Sequence, residues 1–192
     1  MAKLLLTPEN QIQRLNQLLN FVESLEKLSL SQLSKKPNET SWNTVEVLQH
    51  LTIAYVQYKG KIDKALADAP ETNGSAWEYK PGFWNRFIIE GQRPKEKKRP
   101  FKMKTLKKFE PQLPKTIVEQ DVAMVFEKFK KSHGELKQFI LASRNKQMNH
   151  MRISSAIGPI VRFHLPEAFE FLICHAERHK VQIDGILASR NG

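Results

Sequence analysis

Two histidines, His175 and His179, stand four residues apart in the stretch Cys174-His175-Ala176-Glu177-Arg178-His179-Lys180-Val181-Gln182-Ile183. Residues at i and i+4 share one helical face, with Cβ atoms roughly 5–6 Å apart. Imidazoles at that spacing can grip one divalent metal. Leu165-Pro166-Glu167 opens the helix that carries them, with Pro in the first turn and an acid that complements the helix dipole. Phe169, Phe171, Leu172, Ile173, Val181, Ile183, Ile186 and Leu187 place apolar residues nearly all round it, the pattern of a buried helix. Buried imidazoles need partners for their ring nitrogens. A metal supplies them, and so do hydrogen bonds within a core; the spacing leaves both readings open.

The elements that must position this pair can be read from hydrophobic period. Thr7-Pro8-Glu9 is a helix start, and Ile12, Leu15, Leu18, Leu19, Val22 and Leu25 carry an amphipathic helix to about Leu28. Leu30 to Ser34 adds a turn. Asn43 and Glu46 form a capping box at the head of the second helix, which Val47, Leu48, Leu51, Ala54, Tyr55, Tyr58, Ile62 and Leu66 carry to about Ala69. His50 lies on its apolar side, where a core histidine bonded to a backbone carbonyl is the plain reading. Pro70 to Pro114 is the least regular part. It holds one short helical stretch over Pro81 to Ile89. Its aromatics Trp77, Tyr79, Phe83 and Trp84 are expected to cover one end of a bundle or line a pocket mouth. A basic run from Arg93 to Lys108, interrupted by prolines, reads as an exposed connector. A third helix begins near Asp121 with Val122, Val125, Phe126, Phe129, Leu136, Phe139 and Ile140, and His133, beside Gly134, is expected near its surface. Ala142 to His150 is turn-like. His150 and His164 fall in connectors. Strand signals are nearly absent. Four long helices with connectors imply an all-α four-helix bundle, the long connector between helices two and three allowing a crossover.

The bulk properties bound the partners. The 192 residues suit a single domain over 1–192. A formal net charge of +11 makes nucleic acid, an acidic membrane or an anionic substrate thinkable. The single cysteine, Cys174, excludes an intrachain disulfide and points about 100° around the helix from His175. The apolar run at the start is too short for a secretory signal, and no apolar stretch is long enough to span a bilayer. A cytoplasmic protein without membrane partners is expected. No Gly-rich phosphate loop and no nucleophile elbow occurs.

Trp42-Asn43-Thr44-Val45-Glu46-Val47-Leu48-Gln49-His50-Leu51, together with His175-Ala176-Glu177-Arg178-His179 and the following Gln182-Ile183, resembles the DinB-like superfamily. The likeness is strongest to the branch of YfiT-type metal-dependent hydrolases and bacillithiol transferases. Members open helix two with Trp-Ser-x-x-Glu-Val-Leu-x-His-Leu and end with His-x-x-x-His-x-x-Gln-Ile on helix four. The resemblance runs from about Ile12 to Leu187. It implies a bundle of up-down-down-up character and three histidines on one divalent metal; residue by residue these are His50, His175 and His179. Asn43 stands where the family usually has Ser, and both cap helices. The family's His-Pro-x-x-Gly element before helix four corresponds to about His150 to Gly158, and here Met151 follows the histidine.

Several functions follow as expectations. The first is a divalent-metal-dependent enzyme, hydrolase or small-thiol S-transferase, in which three imidazoles leave open positions on zinc, nickel or iron. Its partners would be a small-molecule substrate, a low-molecular-weight thiol in the transferase case, and a second copy of the chain if it dimerises. Glu46 is already committed to capping and Glu177 points off the ligand face, so neither is assigned a role. A non-catalytic, metal-stabilised bundle is the alternative. Nucleic-acid binding through the basic run is a further alternative and the weaker one, because only Phe101 and Phe109 offer stacking surfaces there.

Overall fold

The computed structural model describes residues 5–73, 76–95, 105–148, 150–158 and 160–189. Four long helices make the body: α1 (Pro8–Leu25), α3 (Thr44–Asp68), α5 (Glu119–Ser143) and α6 (Leu165–Ala188). Two shorter ones, α2 (Leu30–Ser34) and α4 (Phe83–Gln92), lie in the connectors. The chain thus has the all-α, four-helix-bundle fold, and the connector after α3 carries α4 and a 3₁₀ turn over Lys107–Phe109.

Each long helix starts where its capping chemistry places it. The Thr7 hydroxyl accepts from the Asn10 amide of α1. The Asn43 side chain accepts from the Glu46 amide at 2.9 Å, while the Glu46 carboxylate accepts from the Asn43 amide at 2.8 Å. These bonds satisfy donors that the first helical turn leaves over. At the head of α6, the Glu167 carboxylate takes the His164 amide at 2.8 Å, and Pro166 sits in the first turn.

Helix directions follow from which residues meet. Along α1 and α6, Gln11 meets Pro166 and Glu170 while Arg14 meets Cys174 and Glu177, so the two run parallel. On α3 and α5, Tyr55 meets Phe129 and His133 while Lys59 meets Glu135, again parallel. Between α1 and α5, Lys130 reaches Glu26 and Lys137 reaches Asn16, an antiparallel pair. The order is therefore up-down-down-up, and the passage from α3 to the parallel α5 requires the long crossover. The core is apolar and continuous, from Leu15, Leu18 and Val22 through Leu48, Tyr58 and Ile62 to Phe129, Ile140, Phe169 and Leu172. Helix α6 is buried nearly all round, as its sequence implies.

Three details depart from the expectations. Two strands, β1 (Arg152–Ser154) and β2 (Arg162–His164), pair antiparallel, with Ile153 opposite Phe163 and both turned inward. Runs of three residues are too short to show an alternating period in sequence. His133 is only 1 % exposed, against the expectation of a surface position. Its Nε2–H donates to the Leu15 carbonyl at 2.9 Å, and the Tyr55 hydroxyl faces Nδ1. The aromatics of the connector divide. Trp77 is buried, with Nε1 donating to Ser143, whereas Phe83 and Trp84 are exposed and do not cover the bundle's core. No helix among the described residues is long and apolar enough to cross a membrane.

Candidate metal centre

Helix α3 delivers His50 and α6 delivers His175 and His179 to one place inside the bundle. His50 and His179 are 5 % and 7 % exposed; His175 is half-buried. The His50 and His175 Nε2 atoms face each other at 3.1 Å, and one ring nitrogen from each of the three histidines lies within 4.8 Å of the others. The ring centroids are 4.6–5.2 Å apart and the rings are steeply tilted to one another, so edges and not faces converge.

The other nitrogen of each ring is held by an oxygen. His50 Nδ1–H donates to the Phe109 carbonyl at 2.7 Å. A carbonyl only accepts, so the proton is on Nδ1 and the lone pair is on Nε2. The Gln92 Oε1 faces His175 Nδ1 at 3.3 Å, and the Gln182 Oε1 faces His179 Nδ1 at 3.0 Å. Such contacts fix the tautomer and ring orientation of metal-ligating histidines. Gln182 is one turn past His179 on the same helix, which explains the Gln in the sequence pattern. Gln92 and Phe109 come from the connector, and no spacing in the sequence announces them.

At 3.1 Å one ring can donate to the other's Nε2 lone pair, and with both lone pairs turned inward the two nitrogens can instead share one cation. Bonds of about 2.0–2.1 Å from each nitrogen are compatible with that separation. The donor set therefore fits a divalent metal with borderline-soft preferences. The environment disfavours protonation of His50 and His175. Desolvation lowers the His50 pKa below its ordinary value, against the opposing pull of the Phe109 carbonyl. It lowers that of His175 to about 3, assisted by the nearby His50 and Arg178.

The three histidines open onto a cavity of about 540 Å³ between α3, α6 and the connector. Trp42, Tyr58, Phe109 and Phe171 supply apolar wall, with the Trp42 ring 5.0 Å from that of His50. Gln92, Arg178 and Gln182 supply polar wall. The connector is pinned over the cavity twice: by the Phe109 carbonyl on His50, and by the Gln112 amide on Gln49 at 2.6 Å.

The remaining sequence candidates fall elsewhere. His164 caps α6, with its ring against Tyr79 and Glu167, and His150 is exposed. Cys174 turns to Arg14 and Glu170, and burial pushes its thiol pKa far up, so it stays a thiol. Glu177 pairs with Arg14 at 2.7 Å, off the ligand face as expected. The basic run is only in part the exposed connector anticipated. Arg93 bonds to the fully buried Glu170 at 2.6 Å, within an ion-pair network that includes Arg14. Residues 96–104, and with them Lys97, Lys98, Arg99, Phe101, Lys102 and Lys104, lie outside the described residues.

Comparison with known proteins agrees with this architecture. The chain is similar over 93 % of its length, at 14 % identity and a TM-score of 0.56, to YfiT from Bacillus subtilis, whose structure is described as a probable metal-dependent hydrolase with an unusual four-helix bundle topology. That match covers 85 % of the YfiT chain. No curated protein matches by sequence. The family model of the DinB superfamily matches residues 13–183, a span that includes all three histidines, Gln182 and most of the bundle, and the chain belongs to the DinB superfamily.

Proposed function

We propose that this chain is a single-domain, divalent-metal-dependent hydrolase of small molecules, with His50, His175 and His179 as the metal ligands. The observation that carries the reading is the convergence of three imidazole edges at the wall of a cavity, each with its outer nitrogen held by an oxygen. A metal so held would supply Lewis acidity, lowering the pKa of a coordinated water towards ~7 or holding a small thiol as its thiolate. The description of YfiT as a probable metal-dependent hydrolase points the same way.

The chain's own residues would do the rest. Phe109, Gln92 and Gln182 hold the imidazoles in one tautomer, so no rotation is needed when a metal or substrate arrives. Trp42, Tyr58 and Phe171 exclude water from the cavity side and grip an apolar body. No aspartate or glutamate is among the described cavity-lining residues. Transfer to a small thiol would use the same three imidazoles; hydrolysis is the reading adopted because water is the only co-substrate it needs.

The test is turnover. Zinc-, nickel- and iron-loaded protein is assayed on a panel of amides and thiol conjugates, beside His50→Ala and His164→Ala. Hydrolysis lost in His50→Ala and kept in His164→Ala supports the reading. A tightly bound metal with no turnover of any panel member would make the protein a metal-stabilised bundle. Turnover only when a small thiol is added would make it a transferase.

A further inference from the structure

Helix α4 packs along α6 and is tied to it at both ends. At its start, Asn85 Nδ2 donates to the Glu167 carboxylate at 2.6 Å and to the Arg162 carbonyl at 3.0 Å. Ile89, in its middle, is fully buried. At its end, two neighbouring residues reach α6 at two points. Gln92 Oε1 faces His175 Nδ1 at 3.3 Å, and the Arg93 guanidinium donates to Glu170 Oε1 at 2.6 Å. Glu170 and His175 stand at i and i+5 on α6, about 7.5 Å apart along the axis. Glu167 thus holds the start of α4, and Glu170, one turn further along α6, holds its end.

The two contacts at the end of α4 are unequal. The Gln92 contact is neutral and long, and its side chain has three rotatable bonds to immobilise. Arg93 makes a short, charge-assisted bond to a fully buried carboxylate. Helix α4 has ten residues, fewer than a helix needs to persist alone in water, so tertiary contacts fix where it ends. The stronger contact sets the place of the weaker one. We propose that Arg93 is a positioning residue of the metal centre: its ion pair with Glu170 holds the end of α4 so that Gln92 orients the His175 ring. The proposal rests on reading His50, His175 and His179 as metal ligands. Arg14 binds the same carboxylate oxygen from α1, on a different element from Gln92, and is therefore the internal comparison.

Zinc affinity of the full-length chain is measured by competitive chelator titration, and thermal unfolding of the zinc-free protein is followed on the same samples. Gln92→Leu should weaken zinc binding by roughly 10–100-fold, as loss of such an outer partner does elsewhere. Arg93→Met should weaken it at least about fivefold, and adding it to Gln92→Leu should cost no more than about a further twofold, because the contact is already gone. Arg93→Lys keeps the charge and should recover part of the affinity. Arg14→Met should lower the unfolding temperature and leave zinc affinity within about twofold of wild type. Should Arg93→Met fail to fold, Arg93→Gln takes its place in the cycle. Unchanged affinity in the Arg93 variant, losses that multiply in the double variant, or a loss in Arg14→Met as large as that in Arg93→Met would each overturn the proposal. Failure of the metal reading has a different signature, a wild type that itself binds no zinc.

Discussion

Nε2 of His50 on α3 and Nε2 of His175 on α6 approach to 3.1 Å, while the Nδ1–H of His50 is committed to the Phe109 carbonyl. Helices α3 and α6 run antiparallel here, since Tyr58, C-terminal to His50 on α3, meets Phe171, N-terminal to His175 on α6. The pairing therefore joins sequence positions 125 residues apart across the bundle core. It also makes the centre sensitive to groups that never touch a metal.

Gln182 is the first of these. Its Oε1 holds His179 Nδ1 at 3.0 Å. Gln182→Leu should keep the fold and weaken metal affinity by roughly 10–100-fold, as loss of such an outer partner does elsewhere. Gln182→Glu should keep most of the affinity. Competitive chelator titration reads the difference, and equal affinity in Gln182→Leu and wild type would show that the contact does not orient the ligand.

Glu170 governs acid stability. Burial alone would raise its pKa, but Arg14 and Arg93 outweigh burial and hold it below the ordinary 4.5. The unfolded chain therefore binds the proton first. The stabilisation is fully present above the unfolded value and is lost as pH falls through the folded value. Glu170→Gln should cost about 3–5 kcal/mol, nearer the lower figure because Arg14 and Arg93 keep some water. It should also flatten the loss of stability below pH 4.5. Urea unfolding across pH 3–7 measures both, and an unchanged slope in the variant would contradict the assignment.

His133 acts in the same direction at higher pH. Desolvation depresses its pKa below the ordinary 6.5, so the folded protein holds it neutral while the unfolded chain protonates. Stability should fall as pH drops below 6.5, with nothing lost above it. His133→Gln should reduce that dependence between pH 6.5 and 5. A variant that keeps the full wild-type dependence there would place its origin elsewhere.

His133 also shows what the sequence carried and what obscured it. Phe126, Phe129, His133, Leu136 and Ile140 step by three and four along α5, so the core seam passes through the histidine. The neighbouring Gly134 suggested a surface turn, but the period was the better guide. The bundle was legible because caps and periods are local: Thr7, the Asn43–Glu46 box and Leu165-Pro166-Glu167 each mark a helix start. The His175 and His179 pair was legible for the same reason. The role suggested for His50 depended on resemblance, because one histidine on an apolar face has no local signature. Gln92 and Phe109 could not be read at all. They reach the centre from an irregular connector whose path is set by tertiary packing. Arg93 was hidden similarly, its ion pair with Glu170 spanning 77 residues within what reads as a solvated basic run.

The central claim is that His50, His175 and His179 together hold one divalent metal. Purified chain is loaded with zinc, dialysed against metal-free buffer, and its zinc per chain is determined by plasma mass spectrometry for wild type and for His50→Ala, His175→Ala, His179→Ala and His164→Ala. The account predicts about one zinc per chain in wild type and His164→Ala, and a large loss in each of the other three, as expected for a site with three ligands and no more. Wild-type protein that retains no zinc, or zinc lost equally from His164→Ala, would contradict it.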